Sequence, residues 1–324
     1  MAVLSLTDKL TALEVAKRSG FSADARRVIE TFVTMNEFML DAPMVEANEG
    51  TTHSSLVRTA LPHGEHRGYN EGVGSKASQT KNIKDVISNI EIYSTVDKQL
   101  IDEAAHPKEI LMTEQVAFME GMAIDFADDI FYGDHEKDPH YTNGFATRRK
   151  FLEKGKCIDA GGTGSELTSI YLVKWGWQGA KLIYPRGSKS CGVQYRDLGE
   201  QTVKLESGKE FQAYRSHYRV SGGLACGDDK AIIRIANVTP NMTGEQIVEL
   251  IIKNKVNLPR WDGTVSILCN DVIMGNINLE AMKKGNIILP SEDPFGNEIN
   301  KIGKMRFRQC DALKFGETQV KAKA

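Results

Sequence analysis

Few side chains of this 324-residue sequence are of a kind and spacing that could do chemistry. The run His63-Gly64-Glu65-His66 and the pair His135 and His140 offer imidazoles near carboxylates, the raw material of a metal site. However, a helical two-histidine site needs i, i+4 spacing and a third ligand, and HGEH supplies neither. The stretch GGTGSELTS, Gly161 to Ser169, is the nearest thing to a phosphate cradle. It lacks both the Gly-Lys-Ser/Thr ending and the GxGxxG spacing, so a glycine turn leading into a strand is the better reading. Cys157, Cys191, Cys226, Cys269 and Cys310 lie more than thirty positions apart with no CxxC pair. They read as reduced, packed thiols of a protein made in a cytosol. No serine sits in a GxSxG elbow. Asp128 and Asp129 are adjacent, and on a helix they diverge by about 100°, which spoils them as an acid/base pair. These residues build no active site and imply no metal and no cofactor.

The largest element available to hold any of them is the stretch His106 to Asp134. Met112, Val116, Met119, Ala123, Phe126 and Ile130 recur at spacings of four and three, one stripe of an α-helix. Pro107 suits the first helical position and Gly133 the position past the end. At about 1.5 Å per residue the helix spans roughly 39 Å, long for a globular protein. Its polar face is acidic: Glu109, Glu114, Glu120, Asp125, Asp128, Asp129 and Asp134 oppose only Lys108. Acids in the last turns work against the helix dipole, so the helix wants basic partners from outside itself.

Ahead of it, residues 7–19 and 23–40 read as two amphipathic helices, with Val28, Phe32, Met35 and Met39 on one side of the second. Residues 50–84 have few large apolar side chains and no sustained period. A segment of that length without its own core is disordered or held by another surface. Its apolar residues Leu56, Val57, Leu61 and Tyr69 are therefore expected against another chain. It is basic, with Arg58, Arg67, Lys76, Lys81 and Lys84 against Glu65 and Glu71. The expected counterpart is the acidic helix of a neighbouring copy: Arg58 or Arg67 of one subunit approaching Asp125, Asp128 and Asp129 of the next. Residues 85–97 alternate through Ile90, Ile92, Ser94 and Val96 as a strand.

After the helix the chain becomes mixed α/β. SIYLVKW and AKLIYP are buried-looking strands, and a tight turn at Gly227-Asp228-Asp229 joins two more. Thr243 with Gln246 makes a capping box for a helix through Ile247 and Ile251, and Asn270 caps another through Ile273 and Ile277. VSILC, NIILP and the run KIGKMRFRQCDAL supply further strands. Net charge is −2, so no bulk attraction to nucleic acid is expected. No apolar run reaches a membrane span. Acid and base inside MAVLSLTDKLTALEVAKRSG speak against a signal peptide.

Several segments, in matching order from about residue 45 to the end, resemble stretches of tailed-bacteriophage major capsid proteins of the short-tailed branch. They are RTALPHGEHRGYNEGV, VDKQL before the long helix, IFYGD with NGF, GTGSELTSIYLVKWG, IYPRGS with VQYRDLG, GL…IIRIANV, and FGNEI…RFRQCDAL. The resemblance implies the α+β Hong Kong 97-like capsid fold. Residues 1–49 would be an N-terminal helical arm and 50–97 the extended loop. Residues 98–157 would be a peripheral domain on a spine helix (106–134), 158–262 mainly axial, and 263–324 the return strands. It further implies a structural protein of the virion, assembled in the host bacterial cytoplasm. Copies would form the pentamers and hexamers of an icosahedral head that encloses double-stranded DNA without sequence specificity. Separate scaffolding and portal proteins would serve it, with or without a decoration protein. Near-neutral charge does not count against such a container, because its contents are packed by a motor. Two rivals stand beside this reading. One is a cellular nanocompartment shell of the same fold, and the other a soluble α/β metal-dependent enzyme using the HGEH loop.

Overall fold

The computed structural model describes Phe32 and residues 34–323, except 189, 206, 284–288 and 293–297. The expected helix 7–19 lies outside the described residues. So does most of 23–40, whose end is helical at Phe32, Thr34 and Met35 and closes in a 3-10 turn at Glu37–Leu40. Phe32 and Met39 are buried, whereas Met35 faces outward.

In chain order the first half carries β1 (Met44–Glu46), β2 (Thr52–Ala60), β3 (Gln79–Val86), β4 (Ser88–Asp97), α1 (Lys98–Asp102), α2 (Pro107–Tyr132) and α3 (Phe145–Arg148). Then come β5 (Cys157–Asp159), β6 (Thr168–Trp175), β7 (Ala180–Tyr184), β8 (Val193–Lys204), β9 (Glu210–Cys226) and β10 (Ile232–Val238). The chain ends with α4 (Gly244–Asn254), β11 (Thr264–Cys269), α5 (Asp271–Lys283), β12 (Leu289–Glu292), β13 (Glu298–Ile302) and β14 (Met305–Gln309).

β6 is the middle of the large sheet. β10 and β11 flank it antiparallel, and β14 runs parallel to β11. Every residue of β6 is buried, because both faces of the sheet are covered. With period 2, Ile170 and Leu172 join Ile233, Ile235 and Ile267 under α4 and α5. The alternate residues Tyr171, Val173 and Trp175 join the core beneath α2. There Phe131, Phe145, Tyr171 and Trp175 pack in tilted and edge-on pairs at centroid distances of 5.3 to 6.2 Å. Full burial of each such ring contributes about 1.5–3 kcal/mol.

α4 has the expected capping box between Thr243 and Gln246. β9 is 17 residues long and serves two regions. Its first part forms a half-exposed ribbon between β4 and β8, and its end, fully buried, pairs with β7. β8 carries little apolar alternation and went unread in the sequence, since one of its faces is exposed and the other only partly buried.

α2 occupies the expected stretch, with Pro107 first and Gly133 after it. Gly133 is required for space rather than for a left-handed turn: a Cβ there would meet the carbonyl oxygens of Asp129 and Thr142 at 2.4 and 2.5 Å. The apolar stripe divides in two. Met119, Ala123, Phe126 and Ile130 are buried, but Met112 and Val116 are 44% and 43% exposed.

Candidate inter-subunit surface

Residues 50–84 differ from the sequence expectation in two respects: they carry the paired strands of a β-hairpin, and Val57 is buried within its own subunit rather than left for another chain. β2 and β3 pair antiparallel from Thr52↔Val86 to Ala60↔Gln79. Alternation is present in β2, with His53, Ser55 and Val57 buried, but two of those inward residues are polar, which hid the period.

The root of this hairpin is bolted to the body. Asp85, 1% exposed, accepts from Arg148 Nη2 at 2.6 Å, and the same nitrogen donates to the Leu224 carbonyl. Thr142 Oγ1 donates to the Val86 carbonyl at 2.8 Å. Asn48 clamps the backbone of Ser54 from both sides, N–H and C=O, at 2.8 Å each. The far end has no such support. Every residue from 60 to 82 is exposed, including Leu61, Arg67, Tyr69 and Val73. The loop is shaped only by itself, through Lys76 pairing with Glu65 and the Gly68 N–H bound to Glu71 at 2.9 Å. Leu56, Leu61 and Tyr69 are thus largely exposed in their own subunit, whereas Val57 is buried there. Arg58 has its backbone paired to Thr80, and its side chain lies outside the described residues.

The three aspartates singled out on the helix share one groove of about 830 Å³ with Asn89, Asp138 and Tyr141. Asp125 is exposed and makes no ion pair among the described residues. Asp128 binds Lys314 of its own chain at 2.6 Å through Oδ2, while its Oδ1 finds no donor. Asp129 is buried and accepts the Thr142 N–H at 3.2 Å, and its Oδ2 finds no donor. Burial pushes the Asp129 carboxyl up to about 6. Although successive helical residues diverge, both Asp128 and Asp129 reach the groove. The basic partners that the acidic helix end wants come partly from within the chain: Asp134 pairs with Lys150 at 3.2 Å and Lys137 at 3.5 Å.

The other candidates resolve differently. His63 and His66 are exposed on the hairpin loop, and His135 Nδ1 lies 3.1 Å from the Tyr141 carbonyl. Among the described residues no group of three His, Cys, Asp or Glu is placed to hold a metal. In the glycine turn two N–H groups are used internally, Gly161 on Asp159 and Gly162 on the Asn237 carbonyl. All five cysteines are buried and free. No helix among the described residues is long and apolar enough to cross a membrane.

Sequence reasoning missed the buried ion pairs that fasten distant segments. Arg234, inside β10, holds Glu317 of the C-terminal segment at 2.8 Å, and Glu317 also accepts from Tyr132 at 2.8 Å. Asp41 holds Arg308 at 2.8 Å and Arg306 at 3.2 Å. The available signal was a lone arginine inside an otherwise apolar strand, IIRIANV, which has to find a carboxylate.

A comparison with curated proteins gives no match. Among solved structures, the chain is similar to a structure of bacteriophage Epsilon15 at 23% identity and a TM-score of 0.64, over 86% of this chain and 88% of that one. It is also similar to the capsid of bacteriophage JBD30 at 9% identity and a TM-score of 0.52, over 85% and 90%. The family described as major capsid protein GP7 matches residues 22–321. A root-anchored hairpin beside a long helix, in a fold shared with phage capsids and within a family match over most of its length, leaves one assignment: this chain belongs to the GP7 family of tailed-phage major capsid proteins and has the Hong Kong 97-like fold.

Proposed function

We propose that copies of this chain assemble as pentamers and hexamers into a closed icosahedral head that encloses double-stranded DNA. The observation that carries this reading is the hairpin. Its root is bonded into the fold, yet every residue from 60 to 82 stays exposed in its own subunit. Holding 23 ordered residues away from any core costs conformational entropy, which a neighbouring surface would offset.

The surface we propose is the aspartate groove at the end of α2. Arg67, exposed on the hairpin loop, would enter the groove of the next copy toward Asp125, Asp128 and Asp129. Arg58 is the alternative donor, and Tyr69 would pack beside it. As an exposed pair the contact contributes about 0–1 kcal/mol. As a partly buried arginine–carboxylate fork it contributes more, and repetition over every contact of a shell multiplies either figure.

In this reading residues 50–97 are the extended loop, 98–157 the peripheral domain, 158–262 mainly the axial domain and 263–324 the return strands. The ribbon of β8 with the first part of β9 lies against β4. Scaffolding and portal functions come from other polypeptides, with or without a decoration protein. Electron microscopy of the expressed chain, with nuclease protection of co-purified nucleic acid, tests the reading. Closed shells protecting DNA in infected cells support it. Shells that instead carry a cellular enzyme would make the chain a nanocompartment, and a featureless monomer would refute assembly.

A further inference from the structure

Between β2 and the turn joining β6 to β7 lies a second groove, of about 710 Å³. Three polar side chains that line it are almost wholly buried: His53, Ser55 and Lys181, at 6%, 7% and 5% exposure. His53 Nδ1 and Ser55 Oγ meet no partner among the described residues. The Lys181 ammonium forms no ion pair there. Its contacts are the Trp177 carbonyl at a long 3.4 Å and the face of the Trp177 ring at 4.7 Å. Lys174, one strand away, is a useful contrast: it also lies against a tryptophan, but its ammonium donates to the Pro259 carbonyl at 2.7 Å.

The carboxylates around the groove are already engaged. Glu46 accepts the Gly187 N–H at 2.7 Å, and Asp228 accepts from Lys230 N and Trp261 Nε1. Asp85, opposite His53 in the hairpin, holds Arg148. A buried ammonium is thus left with no carboxylate in ion-pair contact, Asp85 acting on it only at a distance, beside two idle hydrogen-bonding groups, at the mouth of which stands the 72% exposed Trp177. Burial, and then Lys181, hold the His53 imidazolium form down, and a neutral ring with its proton on Nδ1 would be a donor there.

We propose that this groove binds one oxyanion, a carboxylate or phosphate group, with Lys181 as counter-ion and His53 and Ser55 as hydrogen-bond donors. The anion is either free in solution or the side-chain carboxylate of a second copy of this chain. The site itself does not depend on assembly, only the second source does.

The test is thermal unfolding of the full-length, unassembled chain as inorganic phosphate replaces chloride at constant ionic strength, with Trp177 emission followed in parallel. The midpoint should climb with phosphate as linked binding requires. Phosphate also stabilises proteins by exclusion from their surfaces, so the comparison with variants decides. Lys181→Met should keep its fold, because it removes an unpaired buried charge, and should bind phosphate roughly ten- to a hundredfold more weakly. Ser55→Ala should weaken binding by a smaller factor. A midpoint that ignores phosphate, or that moves equally in both variants and the parent, overturns the site. Shells that still respond assign the anion to solution, whereas shells that do not, built from responsive subunits, assign it to a neighbour's carboxylate. Failure to form shells would sink the capsid reading and leave this result untouched.

Discussion

Asp129 ends the long helix with a buried carboxyl, one oxygen bonded to the Thr142 N–H and the other without a donor. Its pKa is about 6 in the fold against 3.8 in an unfolded chain, because burial disfavours the charged form. Below pH 3.8 both states hold the proton and the site costs nothing. As pH climbs toward 6 the unfolded chain ionises first, so stability falls. Above 6 the full cost, on the order of 3 kcal/mol, is present. Asp129→Asn keeps the acceptor for Thr142 and removes the titration. Melting of unassembled subunits should therefore find the variant more stable than the parent at pH 8, with the gap closing toward pH 4; a gap independent of pH would place the cost elsewhere. An arginine arriving from a neighbour would favour the ionised form, so assembled shells should lose this dependence. Burial also pushes the Cys191 and Cys226 thiols up to about 11 and Cys269 to about 12. All five thiols should stay inert toward a thiol reagent until the chain unfolds. Rapid labelling of native protein would contradict the packing described.

Among the elements, the hairpin joins a firmly bonded root and an exposed tip within one pair of strands. Arg148→Met would leave Asp85 buried without its cation, at a cost of about 3–5 kcal/mol. Hydrogen exchange should then quicken at residues 52–57 and 82–88 while the loop, already exposed, changes little. Equal effects on both would mean that the root is not anchored through this pair. The same hairpin marks what was legible in the sequence. The long helix, β6, β7 and the capped α4 were readable because their apolar residues repeat at the period of the element. β2 was not, since His53 and Ser55 stand at inward positions, and neither was β8, whose ribbon has little to bury. In the N-terminal part of the α2 stripe, Met112 and Val116 keep the period but stay about half exposed among the described residues. Of the candidate surface, the acidity of the helix and the basicity of the loop were plain, whereas the groove uniting the aspartates depends on Asn89 and Tyr141 arriving from other segments.

For the whole molecule, the family and fold are those of a structural protein, and what remains to be measured is the contact between copies. Arg67→Ala should leave the melting of isolated subunits within about 0.5 kcal/mol of the parent, as a surface change does. It should nevertheless slow assembly or lower the salt concentration at which shells come apart. Charge reversal at Asp128 should act likewise, and a matched reversal at Arg67 should partly restore shells. Variants that assemble normally across a range of salt would reduce these charges to a solvated surface.

The most direct measurement is a cryo-electron reconstruction of particles formed by the full-length chain. The account predicts closed icosahedral shells in which residues 60–82 of each subunit lie on the next, with Arg67 in the groove of Asp125 and Asp128. Shells in which this hairpin folds back onto its own subunit, with Leu61 and Tyr69 buried there, would contradict it.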